Sequence, residues 1–236
     1  MPTIADFVAT EELPGGHCSK VLANSTQVLK IPFQGEELTS GYHAMLALGD
    51  LGPEIYDHDP ATATVLMERL NPGTPLSALP EAEAIAIKID LAQRLRQRPL
   101  DASKLMPLAE YVDHSHPLVA QLLATSPEPV FLHGDLHHEN VLLHGDQWKV
   151  IDAKGLYGDP AYEPIAFLRN PISELATIQN LEELIQSRIS TFAKELHLDP
   201  WRIWAWACVD LEAQGYNPEA EPAWQRVGQL LPSLRP

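Results

Sequence analysis

Residues 130–143 read VFLHGDLHHENVLL: two apolar, strand-like runs bracket eight residues that hold three histidines, two acids and an asparagine. Polar groups this close to a core cost free energy unless they are paired or used. The stretch is therefore either a binding site or a set of buried structural partners, and its surroundings separate the two.

Immediately downstream, VLLHGDQWKVI (141–151) reads as strand, Gly145-Asp146 turn and strand, a β-hairpin that brings its ends together. A three-residue loop, 145–147, places Asn140 opposite Asp152 with Cβ atoms about 5 Å apart on one face. A two-residue loop places Ile151 there instead. In the first register an oxygen from each side chain holds one hard cation such as Mg²⁺, with phosphate supplying further ligands, so the metal reading expects the odd-length loop. Asp135, five residues before Asn140, is placed to accept a proton from an incoming hydroxyl. A base, two metal holders and a cationic clamp are the parts of a phosphoryl-transfer site. Two other readings compete with this one. One is a metal-hydrolase site built from His133, His137 and His138, of which His133 and His137 have the i, i+4 spacing of helical zinc ligands, against which stand Gly134 and the strand-like flank. Alternatively the histidines only satisfy backbone groups of a buried turn.

Composition narrows the choice. The 236 residues, 45% of them apolar, suffice for one large domain or two smaller ones sharing a cleft. Thirty-two acids against sixteen Lys and Arg give a net charge of −16, which repels nucleic acid and anionic lipid and favours cationic ligands. The first residues, MPTIADFVATEELPGG, lack a basic stretch leading into an apolar one, and no run approaches the roughly 18 apolar residues of a membrane span, so a cytoplasmic location is expected. Cys18 and Cys208 lie far apart and without metal-ligand spacing.

Residues 1–70 read as a small sheet with one helix. SKVLANSTQVLKI is two β-rich runs around an Asn24-Ser25-Thr26 turn, and 36–50 carries Leu38, Tyr42, Met45 and Leu46 at helical spacing. TATVLMERL is a further strand, NPGTPL a break, and the lobe boundary is expected near residue 70. Residues 71–236 read as mostly helical. Ile85, Ile89, Ala92 and Leu95 recur after Pro80, and 117–125 is another helix. Asn180 with Glu183 resembles a capping box before an apolar stripe from Leu181 to Leu196, Asp199-Pro200 opens a Trp-rich helix, and a last one spans 222–231.

HGDLHHENVLL followed by VIDAKGLYGDPAYEPIAFLRNP resembles the catalytic segment of the aminoglycoside phosphotransferase family, and most of all its streptomycin 6-kinase and hydroxyurea phosphotransferase branch. The H-G-D-x-x-x-x-N run, the later I-D and the G-D-P occur together and in order within 131–171. The resemblance implies an α+β, protein-kinase-like fold: a β-rich N-terminal lobe and a larger helical lobe that enclose ATP. It makes Asp135 the catalytic base and Asn140 and Asp152 the Mg²⁺ holders, with His133 orienting their loop. In GGHCS it points to the backbone of Gly15 and Gly16 and the side chain of Ser19 for phosphate. It pairs Lys30 with the α- and β-phosphates, lines the base pocket with Met67, and gives adenine the main chain of Glu68 and Leu70. Two departures stand out: Tyr42 occupies the place of the helix glutamate that pairs with the strand lysine, with Glu36 or Glu37 as substitutes, and Glu163 stands where aspartate is commoner.

For the phosphate acceptor, a small molecule with a hydroxyl, the segment 201–221 is the richest surface. Trp201, Trp204, Cys208 and Leu211 form a core-like stripe, while Trp206, Asp210 and Glu212 lie elsewhere and are the candidate contacts for a cationic acceptor, with Glu219 and Glu221 nearby. The expected activity is Mg²⁺- and ATP-dependent phosphorylation of a streptomycin-like aminoglycoside, with hydroxyurea or a metabolite open as acceptors. A nucleotide-binding pseudokinase with a regulatory role is the alternative that the missing helix glutamate permits.

Overall fold

The computed structural model describes residues 1–14, 19–33, 37–213 and 221–236. Strands β1 (Glu11–Leu13), β2 (Ser19–Ala23) and β3 (Gln27–Pro32) are followed by helix α1 (Glu37–Ala47) and strands β4 (Ile55–Asp59) and β5 (Thr64–Glu68). The strands form one antiparallel sheet in the order β1-β2-β3-β5-β4. Asn24 closes the β2–β3 turn: its Oδ1 accepts from the backbone N–H of Thr26 at 3.0 Å and of Gln27 at 2.9 Å, the local bonding that makes Asn a turn residue. Tyr42 and Met45 of α1 bury against Val65 and Met67 of β5.

The chain leaves this sheet at Glu68, and its next strand, β6 (Pro72–Pro75), pairs with the hairpin of the larger lobe. Then come α2 (Glu81–Leu95), the short β7 (Met106–Pro107) and α3 (Leu108–Tyr111), α4 (Pro117–Ala124) and β8 (Val130–Leu132). The hairpin β9 (Val141–His144) and β10 (Gln147–Val150) leads to β11 (Leu156–Gly158), which pairs with β7 and β8. Helices α5 (Ile165–Leu168), α6 (Ile172–Leu175), α7 (Leu181–Leu196), α8 (Pro200–Ala213) and α9 (Glu221–Leu230) complete the lobe.

Two helices differ in detail from expectation. Helix α2 buries Ala84, Lys88, Leu91, Ala92 and Leu95, while Ile85 and Ile89 are only partly buried. The inward face is thus rotated from the predicted stripe and takes a lysine into the core. Helix α7 forms where expected, yet the Asn180 side chain makes no capping bond, so the capping box is absent and packing of Ile185, Ile189 and Phe192 carries the helix. The Asp199 cap does form, its Oδ1 accepting from Trp201 N–H at 2.9 Å. Among the described residues no helix is long and apolar enough to cross a membrane.

Helix α1 and the segment after Asp152 touch backbone to backbone. Ser40 Oγ donates to the Lys154 carbonyl at 2.8 Å, and a Cβ on Gly41 would sit 3.0 Å from the Ala153 carbonyl oxygen. Gly155 has φ +73°, and a Cβ there would fall 2.2 Å from the Ser40 carbonyl oxygen. Only glycine fits both that dihedral and that approach.

Candidate active site

The hairpin register decides how the acidic groups meet. Gln147 pairs with His144 and Val150 with Val141, leaving a two-residue Gly145-Asp146 turn. Ile151, not Asp152, therefore lies opposite Asn140, and its N–H donates to the Asn140 carbonyl at 3.0 Å. The expectation of an odd-length loop is corrected. Asp152 reaches the site by a different route: its φ of +63° ends the strand alternation and turns the chain, and its carboxylate forms an ion pair with Lys30 of β3. Asp is among the few residues with a side chain that visit this region.

His133 organises the loop. Its Nδ1 accepts from Asp135 N–H at 3.3 Å, so Nε2 carries the proton and donates to the Ile151 carbonyl at 2.9 Å. Its own N–H donates to Glu163 Oε2 at 2.8 Å, and its carbonyl accepts from Lys154 N–H at 2.8 Å. Burial holds the ring's pKa down to about 4, so it is a neutral strut. His138 is buried, stacked on Phe167 at 3.9 Å, and pushed down to about 3 by burial and then by the charge of Arg188. Among the described residues no group of three His, Cys, Asp or Glu is arranged to hold a metal ion, so the three-histidine reading finds no support there.

These two rings also set a stability expectation. Both have folded pKa values below the ordinary 6.5, so between that value and about 4 the unfolded chain binds the extra protons. Each ring then lowers stability as the pH falls through this range, by on the order of 1 kcal/mol per pH unit. Urea unfolding at pH 7, 6 and 5 should give a falling midpoint, and a flat one would place the rings in water.

Asp135 is half-buried beside Arg169 and His137. Its Oδ1 accepts from Arg169 Nη2 at 3.0 Å, and Oδ2 lies 3.8 Å from His137 Nε2. Burial raises its pKa, but Arg169, followed by His137, Lys154 and His133, outweighs burial and holds the carboxyl below its usual range. It is ionised and ready to accept a hydrogen bond. Asn140 Nδ2 donates to the Asp135 carbonyl at 2.9 Å, so its Oδ1 is the end a cation would take. Burial likewise raises Asp152, and the neighbouring Lys30 more than reverses it. One amide oxygen and one ionised carboxylate fit Mg²⁺, which keeps waters and takes phosphate oxygens for its remaining positions.

On the small-lobe side, Lys30 sits mid-strand opposite Val21 and Val65. Ser19 is buried at the start of β2 and Met67 within β5. Glu68 N–H donates to the Glu54 carbonyl at 2.8 Å and its side chain lies 3.2 Å from His144 Nε2; Leu70 follows just before β6. Gly15, Gly16 and Glu36, and the side chain of Glu37, fall outside the described residues. Tyr42 Oη lies 2.6 Å from His58 Nδ1 and is not the partner of Lys30.

The acceptor-side candidates need correction. Trp206 is fully buried, its Nε1–H donating to Asp159 Oδ2 at 2.7 Å, so it is core rather than a ligand platform. Asp210 is buried as well: Oδ1 accepts from Tyr162 Oη at 2.7 Å and Oδ2 from Arg169 Nε at 3.0 Å. It is a paired structural acid, not a solvated one. The side chain of Glu212, with Glu219 and Glu221, lies outside the described residues.

Beneath the loop lies a buried pair that the sequence reading did not assign. Lys88 Nζ donates to the carbonyls of Leu136 at 2.8 Å and Glu163 at 3.0 Å, and lies 3.8 Å from Glu163 Oε1. Burial brings Lys88 down to about 8 and pushes Glu163 up. The signal was a lysine inside an apolar helical stripe.

A β-rich lobe and a helical lobe that meet at a strand lysine–aspartate ion pair beside the loop carrying Asp135 and Asn140 define a protein-kinase-like phosphotransferase fold. Solved structures share it. A choline kinase from Streptococcus pneumoniae superposes with a TM-score of 0.61 at 13% identity over 95% of each chain. An aminoglycoside phosphotransferase solved with ADP and hygromycin B gives 0.58 at 17% identity, over 95% of this chain and 94% of that one. The chain belongs to the aminoglycoside/hydroxyurea antibiotic resistance kinase family, whose sequence profile matches residues 12–212. Streptomycin 6-kinase from Streptomyces griseus is 27% identical over 208 residues, 78% of this chain and 67% of the relative. The chain spans about two thirds of the length of the curated relatives it matches.

Proposed function

We propose that this chain is an ATP- and Mg²⁺-dependent kinase that transfers the γ-phosphoryl group to a hydroxyl of a small molecule, with streptomycin-like aminoglycosides the first candidates and the cytoplasm its place of work. Residues 1–70 serve as the nucleotide-binding lobe and 71–236 as the catalytic and acceptor-binding lobe. The observation that carries the reading is the meeting of ionised Asp135, Asn140 and the Asp152–Lys30 pair around one loop. In this mechanism Asp135 Oδ2 orients the acceptor hydroxyl and takes its proton. Lys30 moves from Asp152 to the α- and β-phosphates, and Ser19 with Gly15 and Gly16 covers them, while Met67, Glu68 and Leu70 receive the base. Asn140 Oδ1 and Asp152 would hold Mg²⁺, which would neutralise charge on the phosphates.

The test is mass spectrometry after incubation with Mg-ATP and a panel led by streptomycin, other aminoglycosides and hydroxyurea, beside an Asp135→Asn control. One added phosphate that the control abolishes supports the reading; no product from any compound removes the named acceptors. Lys30→Ala should weaken nucleotide binding at least tenfold by calorimetry, and unchanged affinity would take Lys30 out of the site. One observation favours a second reading, a nucleotide-binding pseudokinase: Tyr42 is engaged with His58 where a lysine-pairing glutamate is expected. ATP binding without transfer to any acceptor supports it.

A further inference from the structure

We propose that Arg169 is the positioning residue of Asp135, fixed in turn by Asp210, Tyr162 and Trp224, so that acceptor-side helices determine which carboxylate oxygen meets the hydroxyl. The inference rests on Asp135 being the base, as read above.

The geometry joins five groups from five parts of the lobe. Arg169 caps the C-terminal end of α5, and its planar guanidinium divides its donors between two acids. Nη2 reaches Asp135 Oδ1 and Nε reaches Asp210 Oδ2, each at 3.0 Å. The other Asp210 oxygen accepts from Tyr162 Oη at 2.7 Å, so Asp210 cannot rotate without losing a bond. The guanidinium lies 5.8 Å from the centroid of the Trp224 ring of α9, a cation–π contact on its remaining side. Two bonds from a rigid fork set the separation of two carboxylates, which the single ammonium of a lysine does not.

Only one oxygen of Asp135 is tied by this arrangement. Oδ2, 3.8 Å from His137 Nε2, is the one available for a hydroxyl. The other buried arginines do different work. Arg188 pairs with Glu81 and the carbonyls of Phe167 and Asn170, and Arg202 with Asp159. Arg169 is the arginine that bonds the catalytic loop's aspartate. Loss of its grip frees the carboxylate to swing, and displacements on the order of 1 Å cost about 10²-fold in rate.

The test uses the full chain and two turnovers: phosphorylation of streptomycin and hydrolysis of ATP to water, which requires no knowledge of the acceptor. Arg169→Met should lower kcat of both by roughly 10²-fold while nucleotide affinity by calorimetry stays within twofold. Arg169→Lys, with charge but no fork, should recover part of the loss. Asp210→Asn, which leaves Arg169 and Asp135 intact, should lower kcat less than Arg169→Met. Combined with Asp135→Asn, Arg169→Met should cost nothing further, because residues acting as one unit are not additive. Multiplying effects, an unchanged kcat in Arg169→Met, or folded and fully active Arg169→Lys and Asp210→Asn chains would overturn the proposal. If ATP hydrolysis follows the expected pattern and streptomycin is not phosphorylated, the acceptor reading fails and the positioning role stands. A wild-type chain with neither turnover overturns both.

Discussion

An Asp135→Asn chain should fold normally, bind nucleotide as before and lose roughly 10²–10⁴-fold in kcat, the usual contribution of a positioned base. Asparagine retains an oxygen for Arg169 Nη2, which bonds the aspartate at 3.0 Å, and the loop's backbone bonds do not involve the side chain. What disappears is the ionised oxygen that accepts the hydroxyl's proton. The loss should appear in kcat with the nucleotide dissociation constant unchanged, measured by product mass spectrometry and calorimetry on the same preparation. Retention of turnover within fivefold would remove Asp135 as the base.

The second large effect is on stability. Glu163→Ala strips Lys88 of its buried counter-charge and His133 N–H of its acceptor. Both partners of the ion pair are at most 1% exposed, and breaking such a pair from one side costs about 3–5 kcal/mol. Glu163→Gln, which keeps an oxygen for His133 N–H, should cost clearly less. Urea unfolding of the three chains reads the difference directly. A loss below about 1 kcal/mol in Glu163→Ala would mean that water reaches Lys88 and that the pair does not brace the loop.

How much of this was legible in the sequence follows from which physics each feature uses. The small sheet, the helix over 37–47 and the hairpin announce themselves through alternation, spacing and turn residues, all local properties. Asp135, Asn140 and Asp152 were visible as chemistry-bearing groups clustered along one short stretch. The register was not, because Gly145-Asp146 suits a loop of two or of three residues, and the positive φ that carries the Asp152 carboxylate to the site leaves no mark in the flanking residues. Trp206 and Asp210 were misread for another reason. A single apolar stripe places them off the core face, but Ile203, Trp206, Val209 and Asp210 are all buried, since α8 is packed by α4, α5, α7 and α9. A helix enclosed on several sides has no free face to predict. Lys88 and Glu163, far apart in sequence, become partners only through the tertiary fold.

The seat of α1 on residues 153–155 has a mechanical consequence. At Gly155 the distance between the lobes is set by a missing side chain, since a Cβ there would lie 2.2 Å from the Ser40 carbonyl oxygen. Backbone rests on backbone, with the Ser40–Lys154 bond across it. A side chain at Gly155 would have to push α1 away from this seat, and with it the small lobe that sets Lys30 against Asp152. The closeness of the two lobes at this point is thus written in the sequence as two glycines and a serine.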